Sequence, residues 1–281
     1  MIKPRLVLVG LVSALLAVAC GAAEAEPALT PSALVAPPTV AADGTAADGT
    51  VVEADPIDDL DSVAFTPGQV SHSAVVIDGT RFEYATLVPE GFDLGDTAPV
   101  LVALPPGNQN IELTLTLMAE TYGRPALDNG WVVVSPAAPE GQLWVTGAET
   151  LMPEFLDWIN GWVTPEGGKP HLIGVSNGGV SAFRIAGQQP EAFQSLTVFP
   201  GFPNSTADLD ALAALGDIPI RMYVGERDEV WRGAMEQTVE LLAEQEADAR
   251  LEIIANEGHF IQSLADGVRL FEELEVLRQD G

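Results

Sequence analysis

The sequence predicts an α/β fold: a mostly parallel sheet with an N-terminal antiparallel hairpin, helices on both faces and no cap domain. Three observations lead there. From about residue 70 onward, short apolar runs alternate with amphipathic segments. The runs are apolar almost throughout, as strands buried on both faces are. The segments between strands are short, which leaves no room for an inserted lid. In order, 73–78 and 81–88 flank Gly79-Thr80 and read as the hairpin. Residues 99–104 form a buried strand, 111–129 a helix stopped at Gly130, and 131–135 a strand. The stretch 149–162 is an amphipathic helix, with Leu151, Phe155, Trp158, Ile159 and Trp162 near one side. Pro153 falls in its first turns, where a missing donor matters least. Strand 171–175 feeds helix 177–188, which stops before Pro190. Strands 195–199, 220–224 and 251–255 alternate with helix 230–247, and 261–278 closes the chain.

The chain has 281 residues, with 47% hydrophobic and 19% charged, enough for one folded domain plus appended segments. Its formal net charge of −29 argues against a nucleic-acid partner and against docking on anionic lipid through a basic patch. The single cysteine, Cys20, excludes an intrachain disulfide and any multi-cysteine zinc site, and His72, His171 and His259 leave little for a histidine-rich metal centre. No metal or cofactor is expected.

Lys3 and Arg5 precede an uncharged apolar run, 6–19, that is shorter than the about 20 residues needed to span a bilayer. This pattern describes an export signal over 1–19. Ala17-Val18-Ala19 suits ordinary secretion as a soluble protein. Leu16-Ala17-Val18-Ala19-Cys20 resembles a bacterial lipobox, although Ala17 stands where leucine is usual. The sole cysteine at the position that would be lipidated favours a lipid anchor at Cys20 in the cell envelope, the chain's one expected link to a membrane. Residues 20–68 are rich in Ala, Pro, Thr, Gly and acids, repeat Ala-Ala-Asp-Gly-Thr in tandem, and read as an acidic disordered linker. The folded domain is expected over 69–281, its first strand near Val70.

Gly174-Val175-Ser176-Asn177-Gly178 is G-x-S-x-G, entered by a strand and left by a helix. That context makes it a nucleophile elbow, a sharp turn that lifts the Ser176 hydroxyl above the sheet. Gly174 and Gly178 are required because side chains there would collide as the turn tightens. A serine needs a base. His259 is the one histidine that follows Ser176, in a loop after the last strand. His171 and His72 read as surface or edge residues. The acid is expected in the loop after strand 220–224, where Asp228 is favoured over its neighbours Glu226 and Glu229. Its task is to orient the imidazole and stabilise the imidazolium. An oxyanion hole would use the N–H of Asn177 and one from the loop Leu104-Pro105-Pro106-Gly107-Asn108-Gln109. Neither proline can donate, so Gly107 is the first choice and Asn108 or a later residue the next. Trp144, Phe202 and Trp231 lie in loops after strands and are candidate pocket walls; ordinary packing under loops explains them equally well.

With these residues in place, the chain over about 70–281 resembles an α/β-hydrolase. Gly174-Val-Ser176-Asn-Gly178-Gly179, followed by Arg184, Ala186 and Pro190-Glu-Ala-Phe193, is similar to the polyhydroxybutyrate depolymerase and feruloyl esterase branch. The resemblance implies a serine carboxylesterase without cofactor, with Ser176 as nucleophile, Asp228 as acid and His259 as base. Its substrate would be a small-molecule or polymeric ester. Pro105-Pro106 departs from the His-Gly that many hydrolases carry, and the chain lacks a polymer-binding module. A peptidase or amidase of the same fold, and a non-catalytic surface-binding protein on this scaffold, stand as alternatives.

Overall fold

The computed structural model describes residues 52–53, 63–216 and 218–280. The export signal, Cys20 and most of the expected linker lie outside the described residues. The strands are β1 (Val52–Glu53), β2 (Ser71–Ile77), β3 (Thr80–Leu87), β4 (Thr97–Ala98), β5 (Val100–Leu104), β6 (Val132–Pro136), β7 (Thr164–Pro165), β8 (His171–Gly174), β9 (Leu196–Val198), β10 (Ile220–Gly225) and β11 (Ala249–Ile254). Nine of these form one sheet in the order β1-β2-β3-β6-β5-β8-β9-β10-β11, and β4 and β7 form a separate two-stranded patch. From β6 to β11 every neighbour pair is parallel. The hairpin β2–β3 joins them antiparallel through β3 and β6, as expected from the turn signal.

Period-two alternation sorts the strand side chains into two cores. Val100, Val102 and Leu104 of β5 and Val132 and Val134 of β6 face one core; Leu101, Ala103 and Val133 face the other. The first core is closed by α3 (Met152–Asn160), α4 (Asn177–Gln188) and α6 (Glu229–Glu244), which supply Phe155, Phe183 and Met235. The second is closed by α1 (Ile111–Leu117), α2 (Gly123–Asn129) and α7 (Val268–Asp280) with the turn between the first two, which supply Met118, Tyr122, Ala126, Phe271 and Leu274. Helices therefore cover both faces, the arrangement that near-continuous apolar strands require.

Local chemistry sets the helix ends and one defect. Asn110 caps α1 by accepting from the Leu113 N–H at 3.0 Å, and Gly130 ends α2 in the left-handed region at φ 74°. The segment expected as one helix over 111–129 carries a π-turn at Met118–Tyr122. Pro125 follows it, with a ring that would crowd the Thr121 carbonyl in a regular α-helix, and the widened turn relieves that clash.

Three features depart from the sequence reading. Packing reaches back before Val70: the Phe65 ring meets Phe92 edge-on at 5.8 Å and lies tilted 5.9 Å from Trp162, and Val63 joins the same core. After β9 the chain forms α5 (Thr206–Asp210) and the 3-10 turn Ala211–Leu215, where no helix was anticipated. His171, expected at a surface or edge, is 1% exposed, with its ring 5.1 Å from that of Trp131. His72 does lie near the sheet edge, its Nε2 2.9 Å from Glu83 Oε1.

Candidate active site

Register decides which loops meet. Leu104 at the end of β5 pairs with Gly174 at the end of β8, and Gly225 at the end of β10 pairs with Ile254 at the end of β11. Because these strands run parallel, the loops holding Gly107, Ser176, Asp228 and His259 all emerge from one edge of the sheet. That carboxyl edge is where open α/β sheets bind ligands.

Ser176 stands between β8 and α4 at φ 54°, ψ −119°, a conformation rare for a residue with a side chain. Such a backbone costs about 1–3 kcal/mol and persists where the surroundings enforce it. The enforcement is visible. The Ser176 N–H donates to Pro200 O at 2.8 Å, and the Gly178 N–H to Val175 O at 2.8 Å. A Cβ on Gly174 would meet Gly178 O at 2.3 Å, and one on Gly178 would meet Leu104 O at 2.2 Å. Glycine is thus the one residue that fits at both places, for the steric reason the motif suggested.

Ser176 Oγ lies 2.8 Å from His259 Nε2, and His259 Nδ1 lies 2.6 Å from Asp228 Oδ2. Asp228 caps the start of α6: its N–H donates to Gly225 O and its C=O accepts from the Arg232 N–H. The carboxylate is largely sheltered, with 11% of its side-chain surface exposed against 38% for His259. Neighbouring acids are engaged elsewhere. Glu226 accepts from the Asn256 N–H, Glu257 from the Ser263 N–H, and Glu229 is exposed at the head of α6. The two loops that hold acid and imidazole also touch directly, since a Cβ on Gly225 would meet Gly258 O at 2.1 Å.

Gly107 is buried at φ 60° beside the elbow, and its carbonyl accepts from Asn177 Nδ2 at 2.8 Å. Among the described residues, the N–H groups of Asn177, Gly107 and Asn108 meet no acceptor. Of the three aromatic candidates, Phe202 and Trp231 stand together, ring centroids 4.9 Å apart, with Trp231 also 4.8 Å from the His259 ring. Trp144 does not join them. It is fully buried against Phe82, and its indole N–H donates to Pro136 O, so it packs the core beneath the loops.

Sequence reasoning gave no role to Gln109. It is fully buried, and its side chain bonds Pro105 O, Ser181 Oγ and the Trp144 N–H. It is the middle of three consecutive carboxamides, Asn108-Gln109-Asn110, between two prolines and the helix, and nothing in that run singles it out. A second serine–histidine contact exists, His171 Nδ1 to Ser195 Oγ at 2.7 Å. Both side chains are buried at the opposite end of β8, where no substrate can reach. Burial lowers the His171 pKa to about 4, helped by the Arg278 charge. Among the described residues no three His, Cys, Asp or Glu side chains are grouped to hold a metal ion.

No protein-family model matches the sequence, and no curated protein does. Solved structures do match. A thermostable esterase superposes with TM-score 0.60 at 17% identity, over 75% of this chain and 62% of that one. The chain thus spans less than two thirds of that esterase. Dienelactone hydrolase from Anabaena variabilis gives TM-score 0.56 at 15% identity, over 75% of this chain and 97% of that one. This chain has the α/β-hydrolase fold. The α/β-hydrolase sheet is also shared with LpqC, a poly(3-hydroxybutyrate) depolymerase from Bordetella parapertussis, at TM-score 0.52 and 17% identity, over 76% of this chain and 91% of that one.

Proposed function

We propose that the protein is a serine hydrolase of carboxylic esters that works through an acyl-enzyme. One observation carries this reading: the continuous chain from Ser176 Oγ through His259 to Asp228, at 2.8 and 2.6 Å, on the loop edge of an α/β-hydrolase sheet. In the first half-reaction Ser176 Oγ attacks the ester carbonyl while its proton passes to His259 Nε2. The carbonyl oxygen takes the negative charge and is met by the free N–H of Asn177 and one from Gly107 or Asn108. Collapse expels the alcohol, which takes the proton from His259. Water then attacks the acyl-serine with His259 again as base, which releases the acid and restores the hydroxyl. Asp228 keeps Nδ1 protonated, so that Nε2 faces the serine.

Phe202 and Trp231 are the proposed wall of the substrate site. Val230, next to Trp231 in the chain, and Phe260, next to His259, are 66% and 62% exposed, large apolar side chains on an otherwise strongly acidic chain. An uncharged ester with an apolar portion suits that lining, and an anionic one is disfavoured by the surrounding carboxylates. The named relatives in the fold include esterases and a polyester depolymerase, which agrees with the branch that the elbow sequence resembles.

A fluorophosphonate probe read by intact mass tests the nucleophile without knowledge of the substrate. One adduct on the wild type and none on Ser176→Ala is the expected result. Turnover of p-nitrophenyl butyrate over the matching anilide separates esterase from amidase. No adduct on the wild type overturns the hydrolase reading and leaves the non-catalytic scaffold.

A further inference from the structure

We infer that the side chains of Asn177 and Gln109 are positioning residues that clamp the loop 105–109 to helix α4 and so hold the second oxyanion donor in place. The inference rests on Ser176 being the nucleophile.

The loop needs such a clamp. It runs from the end of β5 at Leu104 to the Asn110 cap of α1, outside any sheet ladder. Pro105 and Pro106 have no N–H with which to tie themselves down. Only the turn bond from the Gln109 N–H to Pro106 O, at 3.0 Å, is internal to the backbone of the loop. A donor carried here would be free to wander unless other groups fixed it.

Two side chains supply the fixing. Asn177 Nδ2 donates to Gly107 O at 2.8 Å, so the residue whose own N–H faces the reacting carbonyl also grips the opposite side of the hole. Gln109 Nε2 donates to Pro105 O at 3.2 Å and to Ser181 Oγ at 3.1 Å, while its Oε1 accepts from the Trp144 N–H at 2.7 Å. Ser181 Oγ in turn donates to Asn177 O at 2.9 Å. Asn177 and Ser181 are four residues apart, one turn on one face of α4. The loop is therefore held at two points along the first turn of the helix that begins at the nucleophile. The Gln109 backbone adds a third hold, its C=O accepting from the Ala138 N–H at 2.7 Å, in a left-handed conformation at φ 55° that closes the turn.

The geometry has a catalytic reason. Oxyanion donors act over about 2.7–3.1 Å from where the charge develops. A displacement of about 1 Å can cost about 100-fold in rate. A chain with two prolines where others carry donors has one loop N–H or two to rely on, so its placement must come from side chains.

The test uses the full chain with Asn177→Ala and Asn177→Asp, the latter of similar shape but facing the Gly107 carbonyl with an acceptor. Gln109→Glu is added, although its burial can prevent folding, and the decision therefore rests on Asn177. Three readouts are taken: kcat and KM on p-nitrophenyl butyrate, inhibition by a trifluoromethyl ketone, and hydrogen exchange at the amides of Gly107, Asn108 and Gln109. The clamp predicts that kcat falls about 10- to 100-fold while KM stays within about threefold. Ketone affinity falls in step with kcat, because the adduct carries the same oxyanion, and exchange in the loop rises. A packing role alone would lower the melting temperature without moving ketone affinity relative to KM. Unchanged exchange in both Asn177 variants overturns the clamp, and faster exchange with unchanged kcat and ketone affinity overturns its catalytic purpose. If the wild type takes no fluorophosphonate, the hydrolase reading falls by itself, and the exchange measurement still decides whether the loop is clamped.

Discussion

The indole of Trp231 packs edge-on against the imidazole of His259, with ring centroids 4.8 Å apart and planes 64° apart. His259 is thus fixed from two directions, by the Asp228 carboxylate on Nδ1 and by an aromatic ring against its side. Such edge-to-face pairs are worth about 0.5–1.5 kcal/mol, which converts to roughly 2- to 10-fold in the population of the aligned imidazole. Trp231→Ala is expected to lower kcat by that factor on a short p-nitrophenyl ester, and Trp231→Phe to restore most of it. Equal kcat in all three proteins would leave Trp231 a wall and nothing more.

Much of this site was legible because it is local. The elbow is five consecutive residues between a strand and a helix, and the steric need at Gly174 and Gly178 follows from the turn itself. His259 and Asp228 come together with Ser176 because parallel strands send their following loops to one edge, so chain order alone predicts proximity. The misses are tertiary. Whether Trp144 faced a pocket or the core depended on Phe82, distant in sequence. His171 looked like an edge residue because nothing nearby announces the Trp131 ring or the Ser195 hydroxyl that bury it. Gln109 carried no motif, since its role is defined by Ser181 and the Trp144 backbone.

His171 makes stability depend on pH in a definite direction. Burial lowers its pKa from the ordinary 6.5 to about 4. Between those values the unfolded chain binds a proton that the folded one refuses, so stability falls as pH falls. The stabilisation from the neutral imidazole is complete above about 6.5 and is lost progressively toward pH 4. At about 1.4 kcal/mol per pH unit, moving from pH 7 to 5 costs about 2 kcal/mol through this group. Denaturant titrations at both pH values, on wild type and His171→Gln, isolate the effect from the many carboxylates. The wild type is expected to lose about 2 kcal/mol more than the variant. Parallel losses would assign the acid sensitivity elsewhere.

The amino-terminal pattern carries its own prediction. If Cys20 is lipidated, Cys20→Ser produced in a bacterial host should leave the membrane fraction after a carbonate wash, while the wild type stays. The same distribution for both proteins would return the Ala17-Val18-Ala19 reading, a soluble secreted domain.

The triad predicts a specific failure of additivity. Ser176 and His259 share one proton at 2.8 Å, so neither is useful without the other. Ser176→Ala and His259→Ala should each remove most turnover, by about 10⁴-fold or more, and the double variant should be little worse than either. Independent residues would instead multiply their losses. Asp228→Asn should cost less than loss of the base, since the imidazole remains and Oδ1 of the amide can still accept from Nδ1 in part of the population. His259→Ala retaining more than about a tenth of wild-type activity is far above what a hydrolase keeps without its base. In that event the 2.8 Å contact is structural and the base lies elsewhere on the loop edge of the sheet.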